Sequence, residues 1–412
     1  MELVKRKVTY RLYPTSSQES TMLRILRLHQ QLYNAALEHR IGAYRSQKHS
    51  ITCFEQNKEL TLVRFEFPEY AALNAQSMQV TMKRLDLAFK SFFRRIKEGA
   101  SKAGFPRFKS IDRYPGWGYA THGDGWRLLA GEGMKHGHLR LSGIGHVKMR
   151  GTARTLGSPK TLEIQYKQGC WYASVTIDCE PKRASGKKAI GIDWGLETFA
   201  TLADANGQCT AIANPRFIKK ALKRLKSKQR VLSKKKRGSE HRAAARRKVA
   251  KLHGKISNQR KEFLHQTTAR LVRESGLIAT EKLNVKGMSA GGGEYKKGLN
   301  REILSAAPSA FHQMLKCKAE EAGIEYIEID TRKIKPSQTC HGCGRQEKKS
   351  LATRMHVCTC GIVCTRDENA ARVILNWALF GNATGREPAG CGEEALVSSM
   401  KQETLSIAAY AA

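Results

Sequence analysis

Acidic residues are scarce in this chain. Its 412 residues include 36 Asp and Glu against 73 Lys and Arg, a formal net charge of +37. That excess is far beyond what solubility asks for, and it makes a polyanion the expected partner. Long apolar runs are missing too. Nothing approaches the roughly 20 apolar residues of a membrane span, and MELVKRKVTY at the start lacks the apolar stretch of a secretory signal. A membrane protein is therefore not expected, and the cytoplasm is the expected compartment. With no lipidation signal and no clean amphipathic anchor, nucleic acid is favoured over an acidic membrane surface. What is present suffices for an enzyme: at roughly 100–200 residues per domain the length allows two to four domains, and 41% hydrophobic residues can fill their cores.

Eleven cysteines in a reducing compartment do not imply a disulfide framework, so spacing decides their role. Cys53, Cys170, Cys179, Cys209, Cys317 and Cys391 are scattered and read as small apolar fillers or loop residues. The other five fall between 340 and 364. Cys340 and Cys343 in TCHGCG form a CxxC knuckle whose two thiolates point into one small turn. Cys358 and Cys360 follow as CxC, one residue shorter than the usual second knuckle. Cys364, His341 and His356 compete as ligands. The pattern predicts one structural zinc that stiffens a core-poor insertion; four thiolates leave no open position for chemistry.

The N-terminal KRKVTYRLYP alternates as a strand. TSSQ then offers an N-cap for a helix with Leu23, Leu26, Gln30, Tyr33 and Leu37 at three-to-four spacing. A second helix from Ala75 to about Gly99 carries Met78, Met82, Leu85, Phe89 and Phe92 on one face, the core stripe of a small helical block. Its other face holds Gln76, Gln79, Lys83, Lys90, Arg94 and Arg95. Gln pairs bidentately with adenine in the major groove, so Gln76, Gln79 and Lys83 are candidate nucleic-acid contacts. From Gly104 short alternating runs broken by Gly and Pro predict a compact β-barrel that the first strand joins, with 15–103 inserted. Phe105, Phe108, Tyr114, Trp117, Tyr119 and Trp126 mingle there with Arg107, Lys109 and Arg113. Such residues either fill the barrel or stack bases.

KRASGKK at 182–188 reads as a linker. AIGIDWG, TFATLAD and QCTAIA then predict three antiparallel strands, an Asn206-Gly207 turn joining the last two, as an RNase H-like sheet begins. Residues 216–261 hold twenty Lys or Arg and one acid, Glu240. Helical stripes (Leu222, Leu225, Leu232; Val249, Leu252, Ile256, Phe263) flank the break KKKRGSEH, which predicts a two-helix hairpin. Lacking the Glu partners of a salt-bridged helix, its cations, among them Lys234, Lys235, Lys236, Arg237, Arg246 and Arg247, read as phosphate contacts whose binding falls steeply with salt. The Gly-rich AGGGEYKKG has no strand and helix around it, which argues against ATP binding. Helices and strands alternate from there in α/β order.

Three acids stand at element ends: Asp193 after AIGI, Glu281 after LIAT and Asp367 in TRDENAARVILNWAL. Singly each is a turn or cap residue. Together they offer the hard oxygen ligands that two divalent cations need to cut a phosphodiester.

GIDWGLETFATL, FLHQTTARLV, IATEKLNVKGMS, KIKPSQTCHGCG, RDENAARVILNW, RLYP near the start and GFPRFKS at 104–110 together resemble the TnpB proteins of bacterial insertion sequences, relatives of the miniature type V CRISPR nucleases. The resemblance spans nearly the whole chain. It implies a multidomain α+β and α/β protein. A wedge-type β-barrel is expected at 1–14 and 104–181, a helical recognition domain at 15–103, an RNase H-like RuvC core at 182–336 and 366–380, a zinc ribbon at 337–365 and a mobile tail at 381–412. It implies an RNA-guided DNA endonuclease that cuts duplex DNA beside a short motif, one monomer on a guide RNA from the transposon end, in a bacterial cytoplasm. Asp193, Glu281 and Asp367 would hold Mg²⁺, and Cys340, Cys343, Cys358 and Cys360 would hold Zn²⁺. Two departures stand out. The family writes DRD where this chain has Thr365-Arg366-Asp367, and it writes CxxC where this chain has Cys358-Thr359-Cys360. A nuclease-inactive RNA-guided repressor and a strand-joining transposase are the competing readings; the intact acid trio opposes the first, and the zinc ribbon and basic hairpin oppose the second.

Overall fold

A computed structural model describes residues 3–130, 136–150, 157–180, 183–350 and 353–385. The chain divides into two compact units, Met1–Pro181 with Val231–Gly254, and Lys182–Arg230 with Lys255–Ala412.

The first unit opens with β1 (Val4–Tyr13), whose Val8, Tyr10 and Leu12 alternate inward as period two requires. Thr15 stops the strand and caps α1 (Ser16–Gln47) in a reciprocal capping box with Gln18. A second box, Thr52 with Glu55, opens α2 (Cys53–Glu66). Pro68 begins the single turn α3 (Pro68–Ala71), and Asn74 caps α4 (Ala75–Lys97). Six strands follow: β2 (Gly116–Tyr119), β3 (Trp126–Leu129), β4 (His136–Leu141), β5 (Gly145–Arg150), β6 (Ser158–Lys167) and β7 (Cys170–Cys179). They form one antiparallel sheet with β1, in the order β2-β6-β7-β1-β5-β4-β3. Residues 16–97, all helical or connecting, lie in sequence between its central strand and its edge strand β2.

Trp117, Trp126 and Trp171 are 0–2% exposed. An aromatic of this size buries about 150–250 Å², worth on the order of 4–6 kcal/mol before ordering costs. Tyr114, Trp117, Tyr119 and Trp126 therefore belong to the core and are not base-stacking residues; of the six aromatics with two open readings, only Phe105 and Phe108 stay exposed.

The second unit is built on β8 (Lys188–Trp194), β9 (Thr198–Asp204) and β10 (Cys209–Ala213), antiparallel neighbours as expected. Gly207, with φ of 78°, makes the β9–β10 turn, and the Asp204 carboxylate accepts from the backbone N–H groups of Asn206 and Gln208. The basic stretch forms α5 (Phe217–Ser233) and α6 (Glu240–Glu274), whose segment 231–254 belongs to the first unit; Leu225 is buried on α5, and Ala245, Val249, Leu252 and Ile256 are buried on α6. Then come β11 (Ser275–Glu281), α7 (Val285–Met288), α8 (Glu294–Ala306), α9 (Pro308–Ala322), β12 (Glu325–Ile329), α10 (Thr331–Ile334), the small hairpin β13 (Met355–Val357) and β14 (Val363–Thr365), and α11 (Arg366–Phe380). β11 and β12 extend the sheet in parallel, giving the order β10-β9-β8-β11-β12. Three antiparallel strands continued by two parallel ones are the mixed RNase H-like sheet that the sequence predicted.

Residues 381–385 fold back on α11, where the Asn376 side chain donates to Ala383 O at 2.8 Å. The rest of the expected tail, 386–412, lies outside the described residues, as does Cys391. No helix among the described residues is long and apolar enough to cross a membrane.

Candidate metal centres and nucleic-acid surface

β8 and β11 run parallel with Ile192 opposite Thr280, so Asp193 and Glu281 are the next pair along, side by side at the carboxyl ends of neighbouring strands. Alternation places Gly191 and Asp193 on one face of β8, and Ala279 and Glu281 on the same face of β11. That face is covered by α11: Ala279 clusters with Val373 and Ile374. Gly191 sets the approach. A Cβ there would lie 2.2 Å from Ala371 O and 2.8 Å from Leu375 Cβ, so only glycine lets the helix backbone touch the strand. The helix then delivers Asp367 from its first turn. Thr365 is its N-cap, accepting from Glu368 N at 3.2 Å while the Glu368 carboxylate accepts from Thr365 N at 3.0 Å. The acid absent from this position is thus replaced by another good N-cap residue, and Asp367 keeps its place.

Asp193 lies within electrostatic reach of the other two acids. The Asp193 carboxyl is held well above its ordinary range by burial among protein atoms, then by the negative charges of Glu281 and Asp367, with the Arg366 guanidinium acting in the opposite direction. Burial pushes Glu281 up to about 7, although the Trp194 backbone N–H donates to its carboxylate and opposes the shift. A buried carboxylate whose charge is opposed by two neighbouring acids fits a cation site, because a bound cation reverses that penalty. Arg366, Gly191 and Trp194 escaped the sequence reading. Gly191 had a signal, a glycine two residues before the acid on the same strand face.

The cysteine cluster is tighter. Cys340 Sγ lies 3.7 Å from Cys360 Sγ, Cys343 Sγ lies 3.5 Å from Cys358 Sγ, and all four sulfurs are within 4.8 Å of one another. Four thiolates at about 2.3 Å from a tetrahedral ion stand roughly 3.8 Å apart, so the set fits, and the shortened CxC suffices. Among the described residues this is the one group of three or more His, Cys, Asp or Glu ligand atoms drawn so close. The Cys360 backbone N–H lowers the Cys358 thiol to about 6, whereas burial raises Cys340 to about 12. The rival ligands are occupied elsewhere or outside the cluster. His341 has one ring nitrogen at 2.9 Å from Asn369 Oδ1 and the other at 3.1 Å from Arg372 Nη1; His356 meets Lys349 Nζ; Cys364 is not in the group.

Asn369 joins the two centres. Two residues beyond Asp367 and fully buried, it donates to Pro336 O and Thr339 O and accepts from His341 N. The first knuckle is therefore fastened to the helix that carries the third acid.

Of the candidate nucleic-acid contacts, Gln79 and Lys83 are exposed on α4, but Gln76 is not available. Its Oε1 accepts from the backbone N–H groups of Ala120 and Thr121 at 3.0 and 2.9 Å, so it holds the chain after β2 and cannot offer both amide groups to a base. Lys234, Lys235, Lys236 and Arg237 are exposed at the hairpin tip. Arg247 is exposed as well, and Arg246 is exposed but pairs with Asp112 at 3.2 Å.

Comparison with known proteins agrees with this geometry. Family profiles described as "Probable transposase", "Cas12f1-like, TNB domain" and "Helix-turn-helix domain" match residues 172–290, 309–374 and 1–49. The second match contains all four clustered cysteines and Asp367. Residues 1–49 here hold a strand and one continuous helix, not a helix-turn-helix. A Streptomyces pristinaespiralis protein named "Putative RNA-guided DNA endonuclease" is 32% identical over 98% of this chain and 97% of its own length. The Escherichia coli K12 protein named "Putative RNA-guided DNA endonuclease InsQ" is 27% identical over 77% of this chain and 76% of its own. A cryo-EM structure of a Cas12f1-sgRNA-target DNA complex has the same fold, with a TM-score of 0.59 at 12% identity, covering 90% of this chain and 98% of that one. Fold and site thus define a class, the proteins with an RNase H-like core and a cysteine-ribbon insertion. Within that class, this chain belongs to the TnpB family.

Proposed function

We propose that this chain is an RNA-guided DNA endonuclease of a bacterial transposable element, cutting double-stranded DNA beside a short motif through one Mg²⁺-dependent RuvC-like site. The observation that supports the reading is the register that sets Asp193 and Glu281 side by side at neighbouring strand ends, with Asp367 in the first turn of the helix and close enough to act on the Asp193 carboxyl. These carboxylates would hold a pair of Mg²⁺, which when bound supply a water of lowered pKa and charge stabilisation at the scissile phosphate. The chain's own residues set the geometry. The Trp194 amide fixes the Glu281 carboxylate, Gly191 fixes the height of α11 above the strand, and the α11 N-cap presents Asp367 toward it.

Cys340, Cys343, Cys358 and Cys360 would hold zinc in a structural role. The exposed cations at 234–237 with Arg247 bind phosphates, while Gln79 and Lys83 face the motif beside the target. Guide pairing supplies sequence specificity and the protein reads backbone and shape. One chain works on one guide RNA from the transposon end, in the cytoplasm. The wedge-type and helical segments (1–14, 104–181; 15–103) grip the guide and its target. The segments 182–336 and 366–380 cut, and the ribbon at 337–365 braces them.

The test is cleavage of a matched duplex by the protein loaded with RNA from its own element. Wild type should cut only with Mg²⁺, and Asp193→Ala should bind the duplex without cutting. Guided binding without cutting in wild type would mean a repressor, and RNA-independent joining of donor ends would mean a transposase; either sinks the reading.

A further inference from the structure

In the first unit, α1, α4 and the segment 103–109 wall a groove of about 1150 Å³. The segment is pinned at both ends. Arg95 donates to Ala103 O and Gly104 O, while Lys109 O accepts from Gln30 and Asn34 and Lys109 N donates to Asn34 Oδ1. Between those anchors Phe105, Arg107 and Phe108 stay in solvent contact. Phe105 is held edge-on by Phe89 and Phe92, with ring centroids 5.6 and 5.2 Å away. Phe93 and Tyr44 line the groove as well. Phe93, Tyr44, Phe105 and Phe108 are 47–57% exposed, a fixed apolar surface with no folding reason to face water.

The same walls are cationic. Asp86 is the one acid on the lining, and it is already paired with Arg40 at 3.5 Å and Lys90 at 3.0 Å. Arg45, Lys48 and Arg107 add three further charges. Arg40 is 8% exposed; Gln56 holds its Nε at 2.8 Å, yet its buried Nη2 has no hydrogen-bond partner. A buried guanidinium donor left unpaired is costly, and an anionic oxygen entering the groove answers it.

We infer that this groove binds a short run of unpaired nucleotides, with bases stacked on Phe93, Phe108 and Tyr44 and phosphates met by Arg45, Lys48 and Arg107. Aromatic faces beside cations along a groove are what single strands require, since every base has a π-face. An acidic peptide would use the charge and leave the rings unused, and a duplex hides its bases. The volume exceeds the roughly 300–1,000 Å³ of clefts that enclose one small ligand, which favours several linked nucleotides over a lone metabolite. The source is either an unpaired stretch of the bound RNA or a displaced DNA strand. The inference rests on nucleic acid being the partner and not on the carboxylate trio, so the two fail separately: cleavage lost in Asp193→Ala alongside a groove that takes no strand sinks only this one.

The full-length protein is irradiated with oligo(U) bearing 4-thiouridine or oligo(dT) bearing 4-thiothymidine, in salt high enough to weaken simple charge attraction, and crosslinks are mapped by mass spectrometry. Crosslinks are expected on peptides carrying Phe93 and Phe105–Phe108, competed by unlabelled single strand and not by duplex or polyglutamate. A preference for the RNA probe identifies the guide as the source, and a preference for the DNA probe identifies the displaced strand. The double variant F93A/F108A should lose roughly tenfold of the yield at the groove with thermal melting unchanged, and Phe108→Tyr should retain it. Crosslinks found only on the 216–261 helices, or groove crosslinks displaced equally by duplex or polyglutamate, would overturn the inference.

Discussion

The cysteine cluster and the carboxylate trio sit in one unit, tied together by Asn369, yet they are built on opposite terms. The sulfurs are already at the spacing of a tetrahedral shell, 3.5–3.7 Å within each closest pair. Two short loops fold them together, and the group fills its own coordination. The carboxylates come from three elements far apart in sequence, and the charges of Glu281 and Asp367 add to burial in raising the proton affinity of Asp193. A structural ion locks a shape that the chain largely makes by itself. A catalytic site keeps charge uncompensated so that the ions and the substrate phosphate complete it.

Removing a ligand from each centre should expose that contrast. Cys340→Ser has the largest expected effect on the fold: the freshly purified protein should drop from about one equivalent of zinc to none by metal analysis, and the ribbon should become protease-sensitive. If Asn369 transmits order as its hydrogen bonds indicate, melting of the second unit falls too. Gly191→Ala is the mirror test. It leaves every ligand in place but forces a methyl into the Ala371 carbonyl, so it should cost about 3 kcal/mol by denaturant unfolding and abolish cleavage while RNA binding and zinc content stay intact.

A smaller effect follows from Glu281, whose carboxyl is raised to about 7 from an unfolded value of 4.5. The folded state binds more protons than the unfolded state between those values, so in chelator the stability contribution is full below about pH 4.5 and is lost as pH rises through 7. The loss should be on the order of 1–2 kcal/mol after solvent screening. Mg²⁺ should reverse that loss above pH 7 and do little below pH 5. Unfolding curves across this range with and without Mg²⁺ check it; a flat difference would mean that Glu281 faces no cation.

These contrasts also show what was legible beforehand. The acids stood out as candidates because a carboxylate ending an apolar strand is conspicuous in a chain this basic, and the thiolates could be read because CxxC followed by CxC is local. The mixed sheet followed from the alternation in AIGIDWG and TFATLAD. What stayed hidden depends on partners distant in sequence. Gly191 matters only because Ala371 lies over it, and Asn369 because Thr339 and His341 fold against its amide. Gln76 and Gln79 look alike in sequence, and only the chain at Ala120 and Thr121 separates a structural glutamine from an exposed one. Trp117 and Trp126 went to the core while Phe105 and Phe108 did not, a choice that composition leaves open.

The account turns on the carboxylates forming one cation site. Its most direct test is Mn²⁺ binding to the zinc-loaded protein, followed by electron paramagnetic resonance in wild type and in Asp193→Asn. Two ions with mutual spin coupling in wild type, reduced in number and uncoupled in the variant, are predicted; binding of identical stoichiometry and spectrum in both would contradict it.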